Sequence, residues 1–319
     1  MKNVTVVVGA GLSGLLVARE LRRRGAMVIV LEKSRGLGGR LATKRVGPAV
    51  FDQGAQFFTA REGDPFCAEL KVWVAAGVAT SWNDGDKRRW IGRPSMTGIG
   101  KWLAEELDVR RSHKVTALHH HDCGCWEIDI EGAGMMRAER LVLSAPVPQS
   151  LALLAAGGVA LPDPLATALA ELSYHPCLAL LVALDGPSAV PAGGCALTEG
   201  PLRWVADNAK KGTSAAERGA ITLHASPAFS AAHYGESAEA IAAQLLPEAR
   251  VWCGESAVTS TTLHRWRYSE PINTYAEPCV WLPDLALGFC GDGFGGPRVG
   301  GAVRSGLALG QRLASVLES

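Results

Sequence analysis

Neither sign of charge dominates this chain. Its 319 residues carry 32 lysines and arginines against 31 aspartates and glutamates. That balance leaves no basic stripe for a phosphate backbone, so a nucleic-acid partner is not expected. Long apolar runs are missing as well: the best candidate, Leu151–Leu161, is interrupted by Gly157-Gly158 and closed by Pro162. A bilayer span needs roughly 20 apolar residues, and no membrane partner is expected. Met1-Lys2-Asn3 runs directly into an apolar strand, which leaves no room for a signal peptide and predicts a cytoplasmic location. No Cys-x-x-Cys stands at a helix start. The eight cysteines, at positions 67, 123, 125, 177, 195, 253, 279 and 290, read as reduced core thiols. No serine sits in a nucleophile elbow, so covalent hydrolysis is not suggested. Internal repeats are absent, and Ala155-Ala156-Gly157-Gly158 is an ordinary loop.

What the chain does have is apolar content of 48%, enough for one large core or two modest ones. It also opens on a nucleotide cradle. Val4–Val8 is a β-branched strand, followed by Gly9-Ala10-Gly11-Leu12-Ser13-Gly14 and a helical stretch over Leu15–Arg24. Gly9 permits the tight turn, Gly11 lets backbone approach a pyrophosphate, and Gly14 allows close helix–strand contact. The anion would rest on free N–H groups at the helix start, where the peptide dipole favours negative charge, with Leu12 and Ser13 in that first turn. A second strand, Met27–Leu31, ends in Glu32, placed to accept the two hydroxyls of an adenosine ribose. Lys33 and Arg35 follow, then a second glycine pair, Gly38-Gly39, and Arg40. This segment would close over the same pyrophosphate, with the Arg40 guanidinium on its oxygens. Near the far end, Leu287–Asp292 is a buried strand ending in an acid, and Val299-Gly300-Gly301-Ala302 opens a helix running to Leu317.

With these pieces the chain resembles the glutathione-reductase-type FAD proteins, in the branch that holds flavin amine oxidases, protoporphyrinogen oxidases and renalases. Further stretches make it similar to the renalase-like group, particularly its bacterial members. They are Lys33–Arg40, Asp52-Gln53-Gly54-Ala55-Gln56-Phe57-Phe58-Thr59-Ala60-Arg61, Trp90–Met96, Ser144–Gln149 and His264-Arg265-Trp266-Arg267-Tyr268. The resemblance implies that Gly291 and Asp292 hold a ribityl hydroxyl of FAD, and that the helix at Val299, Gly300 and Ala302 faces the flavin N1/C2=O edge. It also implies that Val115 lies at the adenine edge and that Ala55, Gln56 and Phe57 lie beside the isoalloxazine. No second strand–glycine–helix unit occurs in mid-chain. One cofactor is therefore expected, FAD held without a covalent bond.

The expected fold class is α/β: a Rossmann-like FAD-binding domain of glutathione-reductase type with a second, mixed-sheet α+β substrate domain. The first is discontinuous, over 1–60, 90–149 and 285–319, and the second takes 61–89 and 150–284. Within them Met96–Leu107 reads as a helix, while Arg110–Leu118, Trp126–Ile130 and Arg137–Ser144 read as strands. The central block shows strands at Cys177–Leu184 and Ala220–Ala225, a helix at Ser237–Leu246, and a strand around Ser260–Trp266. Small-molecule substrate would bind between the domains.

Renalase resemblance implies oxidation of 1,2- and 1,6-dihydronicotinamide isomers to NAD(P)⁺, with electrons passing through flavin N5 to dioxygen and hydrogen peroxide released. Such a substrate already holds a transferable hydride, so positioning suffices and no general base is required. The candidate pocket residues are His264, Trp266, Gln56 and Arg61, with Trp90 and Arg298 nearby. His264 is either a pocket residue or a satisfied core histidine, and Gln56 and Phe57 either touch substrate or pack against the cofactor. Amine oxidation or a related desaturation is the alternative; the 292–298 stretch lacks the tyrosine of an aromatic cage. A third reading is an FAD-binding redox sensor without turnover. His119-His120-His121-Asp122-Cys123-Gly124-Cys125 has metal-ligand residue types, but its short spacing at a hairpin tip reads as a solvated turn, with no metal and no redox pair.

Overall fold

The computed structural model describes residues 4–82 and 88–318. Every residue of β1 (Val4–Val8) is buried, as a β-branched run covered on both faces must be. It therefore lies inside a six-stranded sheet rather than at an edge. The order is β17 (Val280–Leu282), β18 (Leu287–Phe289), β11 (Arg140–Leu143), β1, β2 (Met27–Glu32) and β7 (Asp108–Arg111). All pairings are parallel except that of β17 with β18. Helix α1 (Leu12–Arg23) starts three residues ahead of the expected stretch, because Gly11 in an extended conformation already caps it.

Two expected strands are each divided. Arg110–Leu118 splits into β7 and β8 (Val115–His120), because Ser112 takes φ +57° and the N–H groups of Ser112 and His113 donate to the carbonyls of Ser34 and Glu32. The chain thus leaves one sheet and begins another. Arg137–Ser144 likewise divides into β10 (Gly134–Ala138) and β11. With β9 (Trp126–Ile130), β8 and β10 form a small antiparallel sheet. Helix α3 (Met96–Ala104) is shorter than the expected helix, and α2 (Phe66–Ala75), α4 (Val147–Ala156) and α5 (Leu165–Ala170) complete this half.

The central block forms a second sheet of five strands. Its order is β13 (Cys195–Ala196), β14 (Leu202–Asp207), β15 (Ala220–Ala225), β12 (Tyr174–Leu184) and β16 (Val258–Pro271). Every pairing in it is antiparallel, where a mixed sheet was expected. Strand alternation decides its two faces. Leu178, Leu180, Val182 and Leu184 of β12 pack with Ile221 and Leu223 of β15 against Ile241, Leu245 and Ala249 of α7 (Ala238–Cys253). Each such buried leucine, isoleucine or valine contributes about 1.5–3 kcal/mol. Helix α7 runs past the expected end at Leu246, through Pro247, and α6 (Pro227–His233) precedes it. Antiparallel pairs β3–β4 (Thr43–Val46, Ala49–Asp52) and β5–β6 (Ala79–Ser81, Trp90–Gly92) lie in sequence between β2 and β7 of the six-stranded sheet. Helices α8 (Asp292–Gly295) and α9 (Arg298–Glu318) close the chain, with Gly306 of α9 set against Ser13 of α1. Among the described residues no helix is long and apolar enough to cross a membrane.

Candidate active site

The site begins where β1 gives way to α1. Gly9 takes φ +107°, open to glycine at little cost, and its N–H donates to Leu31 O at 2.8 Å. A Cβ on Gly14 would sit 2.3 Å from Gly9 O, so only glycine lets the helix approach the turn. Gly11 differs: a Cβ there would meet nothing within 4 Å, which leaves open space over the first turn of α1, where Leu12 and Ser13 are buried. Gly38 and Gly39, both at positive φ, run alongside, with Gly38 N–H donating to Ala10 O at 2.8 Å. Two glycine backbones thus flank one helix start, an arrangement suited to an anion.

Glu32 is fixed at the tip of β2. One carboxylate oxygen accepts from Ala10 N at 2.9 Å, and the other from Ser34 N at 2.8 Å and Ser34 Oγ at 2.7 Å. Lone pairs remain for hydroxyl donors. The 112–114 turn runs beside it and leads into Val115, which is buried. Lys33 reaches Gln149 Oε1, and Arg35 is exposed.

At the other end of the sheet, Gly291 N–H donates to Ser305 Oγ and Asp292 is buried. The Arg40 guanidinium forks onto both Asp292 carboxylate oxygens at 2.6 Å and donates to Ser269 O at 3.1 Å. Burial works against that guanidinium charge, but the Asp292 carboxylate outweighs it and holds Arg40 above its ordinary value. Helix α9 starts beyond, with Val299 buried and Gly300 and Ala302 half-buried. A Cβ on Gly301 would lie 1.5 Å from Gly296 O, so that glycine serves the α8–α9 corner.

The open face of the five-stranded sheet covers the 51–57 segment. Thr222 Oγ donates to Asp52 O at 3.1 Å, His224 Nε2 lies 3.3 Å from Gln53 O, and Trp266 Nε1 donates to the same carbonyl at 2.9 Å. His264 meets Trp266 edge-on at 4.3 Å between ring centres. Burial, with Lys44 adding to it, pushes the His264 imidazole down to about 4. It is therefore neutral at physiological pH. His264 lies inside a 14-residue strand rather than at a strand end, because β12 supplies a long partner. Tyr174 of β12 and Tyr268 of β16 form an edge-on pair at 5.7 Å, and a Cβ on Gly293 would touch the Tyr174 hydroxyl. Strands distant in sequence thus supply tyrosines beside α8.

Behind the turn lies a group the sequence did not single out. Lys211 and Asp52 form an ion pair at 2.8 Å, with side chains 0% and 1% exposed. Asp52 also accepts from Thr43 Oγ and Met96 N, and Asn208 receives its N–H. Lys211 further donates to Gln56 Oε1 at 3.3 Å, while Gln56 Nε2 donates to the carbonyls of Asp52 and Gly54. The Gln56 amide is held by protein on both ends. Next to it, the Arg89 guanidinium lies 4.5 Å from the Phe57 ring, 5.2 Å from Trp204 and 5.9 Å from Trp82. A box of three aromatic rings is thus filled by the chain's own cation. Nothing in the local pattern of Lys210-Lys211-Gly212 distinguishes a buried lysine from two exposed ones. The structure brings His264 and Trp266 together beside Gln53, while the Gln56 amide turns to Lys211 and the carbonyls of Asp52 and Gly54. Arg61 lies on the exposed loop before α2, and Trp90 exchanges backbone hydrogen bonds with Phe58.

Two features test the fit to FAD. A Cβ on Gly11 would meet nothing within 4 Å, so the helix start is open to a ligand atom on that side. Among the described residues Gln53 Oε1 is buried without a hydrogen-bond partner, an acceptor that a bound donor would satisfy. The residues fit the group.

Residues 7–69 match the family model described as an NAD(P)-binding Rossmann-like domain. AofH of Mycobacterium tuberculosis, named as a flavin-containing monoamine oxidase, is 40% identical over 86 residues, covering 27% of this chain and 18% of its own. The chain spans less than a fifth of the length of the curated relatives it matches. Likeness in structure extends much further. A protein of Exiguobacterium sp. 255-15 described as a protoporphyrinogen oxidase superposes with a TM-score of 0.77 at 14% identity, over 100% of both chains. Putrescine oxidase bound to putrescine gives 0.71 at 14% identity, over 99% of both. From its Rossmann-like head to α9, the chain shares its fold with the protoporphyrinogen oxidase and putrescine oxidase structures.

Proposed function

We propose that this protein is an FAD-dependent oxidase acting on dihydronicotinamide dinucleotides reduced at the wrong ring position, the 1,2- and 1,6-isomers. FAD supplies the hydride acceptor and the route of the electrons to dioxygen, giving NAD(P)⁺ and hydrogen peroxide. The observation that carries the substrate class is the state of the site's carboxylates. Asp52 is spent on Lys211, Asp292 on Arg40, and Glu270 on both Arg203 and Arg298. The aromatic box is filled by Arg89. A protonated amine would find its natural partners taken, whereas the surplus of cations around Glu270 suits a pyrophosphate.

In this reading Glu32 accepts ribose hydroxyls, and Asp292, with Arg40 holding it, faces the ribityl chain. Neutral His264 and the Trp266 indole form the wall against which a flat nicotinamide lies. Their work is orientation and exclusion of water, and no proton need be removed at carbon. Cytoplasmic residence belongs to the same proposal, because its substrate is a misreduced coenzyme.

A second reading, amine oxidation, is favoured by the Tyr174–Tyr268 pair beside α8. The deciding experiment is anaerobic mixing of the yellow protein with 1,6-dihydroNAD and, separately, with a panel of primary and secondary amines. Bleaching by the dinucleotide alone is expected. Bleaching by an amine alone would overturn the proposal in favour of the second reading, and bleaching by neither would leave a flavin-binding sensor without turnover.

A further inference from the structure

The turn between β8 and β9 carries two thiols that the flavin chemistry does not use. Cys123 Sγ and Cys125 Sγ lie 2.7 Å apart, with Cys123 exposed and Cys125 half-exposed. Their approach is built into the turn. Gly124 N–H donates to His121 O at 2.8 Å, His121 N–H donates to Cys125 O at 3.0 Å, and Gly124 takes φ +78°. That left-handed residue folds the chain back so that both side chains leave on one side.

We propose that Cys123 and Cys125 are a modification site, a surface dithiol that peroxides convert reversibly into an intramolecular disulfide. Cys123 thiolate attacks one peroxide oxygen, the O–O bond breaks, and the departing hydroxide takes a proton to become water. Cys125 then attacks the sulfur of the resulting sulfenic acid. The S–S bond forms, the S–O bond breaks, and the second water leaves. The two thiols lose two hydrogens and two electrons, and these reduce one hydrogen peroxide to two waters. A disulfide closed across a single intervening residue at an exposed turn is of the labile kind, readily reopened by a small dithiol.

The division of labour follows from the contact itself. The hydrogen bond from Cys125 holds the Cys123 thiol below its ordinary range, and the same bond raises Cys125. One sulfur is set to attack and the other to resolve. Arg137 of β10 adds positive potential at both. The remaining thiols are placed differently. Burial pushes Cys177 and Cys290 up to about 12, and raises Cys253 and Cys279. The half-buried Cys67 and Cys195 donate to the carbonyls of Arg61 and Ala196.

The inference stands apart from the oxidase reading, which adds only that the protein's own product would be an oxidant of the right class. The reduced full-length protein is treated with one equivalent of hydrogen peroxide, quenched, alkylated and mapped by mass spectrometry. Two of the eight thiols should be lost. The loss should be confined to the peptide carrying both cysteines, appear as an internal disulfide, and reverse with dithiothreitol. In Cys125→Ser, Cys123 should instead be trapped as a sulfenic acid by dimedone. Faster oxidation of Cys67 or Cys195, a disulfide between two chains, or two free thiols at the turn would each overturn the proposal. Because peroxide is added from outside, failure here leaves the flavin reading intact, and failure of flavin reduction leaves this test valid.

Discussion

A carboxylate and an ammonium shielded from water hold the 52–56 turn against the second sheet. Lys211→Met removes the counter-charge of a buried Asp52, so the folded state should lose about 3–5 kcal/mol in urea denaturation. Asp52→Asn combined with Lys211→Met should lose less than Lys211→Met alone; equal losses would mean that the charge of Asp52 does not matter. His264 supplies a second residue-scale test. With its imidazole pushed down to about 4, it stays neutral from mildly acid to alkaline pH. Flavin reduction should therefore show no histidine step around pH 6–7, and His264→Ala should slow reduction while the protein stays yellow. At this scale the sequence was most informative where geometry repeats across unrelated proteins. Gly9, Gly14 and Glu32 occupy the places their spacing implied. Lys211, Asn208 and Arg89 were not legible, since a polar residue buried by a distant strand looks locally like any surface residue.

Strands and helices were legible in type and less so in extent. Trp126–Ile130 and Ala220–Ala225 have the boundaries that alternation predicts. The two divided strands were missed because an apolar pattern does not reveal that a chain changes sheets at Ser112 or Glu139. Helix starts offer a contrast between neighbouring glycines. Gly14→Ala would place a methyl 2.3 Å from Gly9 O, so the protein should be strongly destabilised or fail to fold. Gly11→Ala meets nothing in the protein. It should keep the melting temperature of the cofactor-free protein while lowering flavin retention on dialysis. A variant with normal flavin content would remove Gly11 from the anion seat.

For the molecule as a whole, acid sensitivity should arise where the five-stranded sheet covers the 51–57 segment. His224 is half-buried there beside Gln53, and loss of solvent around the ring pushes it down to about 4, as it does His264. Both lie below the ordinary histidine value of 6.5. The unfolded chain therefore takes up protons first as pH falls. The stability tied to these neutral rings is complete above about pH 6.5 and is lost as pH drops toward about 4. Thermal melts across that window should show a falling midpoint, and His224→Asn should make the fall shallower. An unchanged slope would mean that the histidine is already solvated in the native state. Both ends contribute strands to one sheet, and each end carries its own glycine and acid signal in the sequence. The open face of the antiparallel sheet, with tyrosines drawn from two strands, was not visible there.

Strand β18 lies beside β11 within the same sheet as β1, and α9 rests on α1. A ribosome making this polypeptide therefore carries an unfinished six-stranded sheet until the stretch from Leu287 onward has emerged.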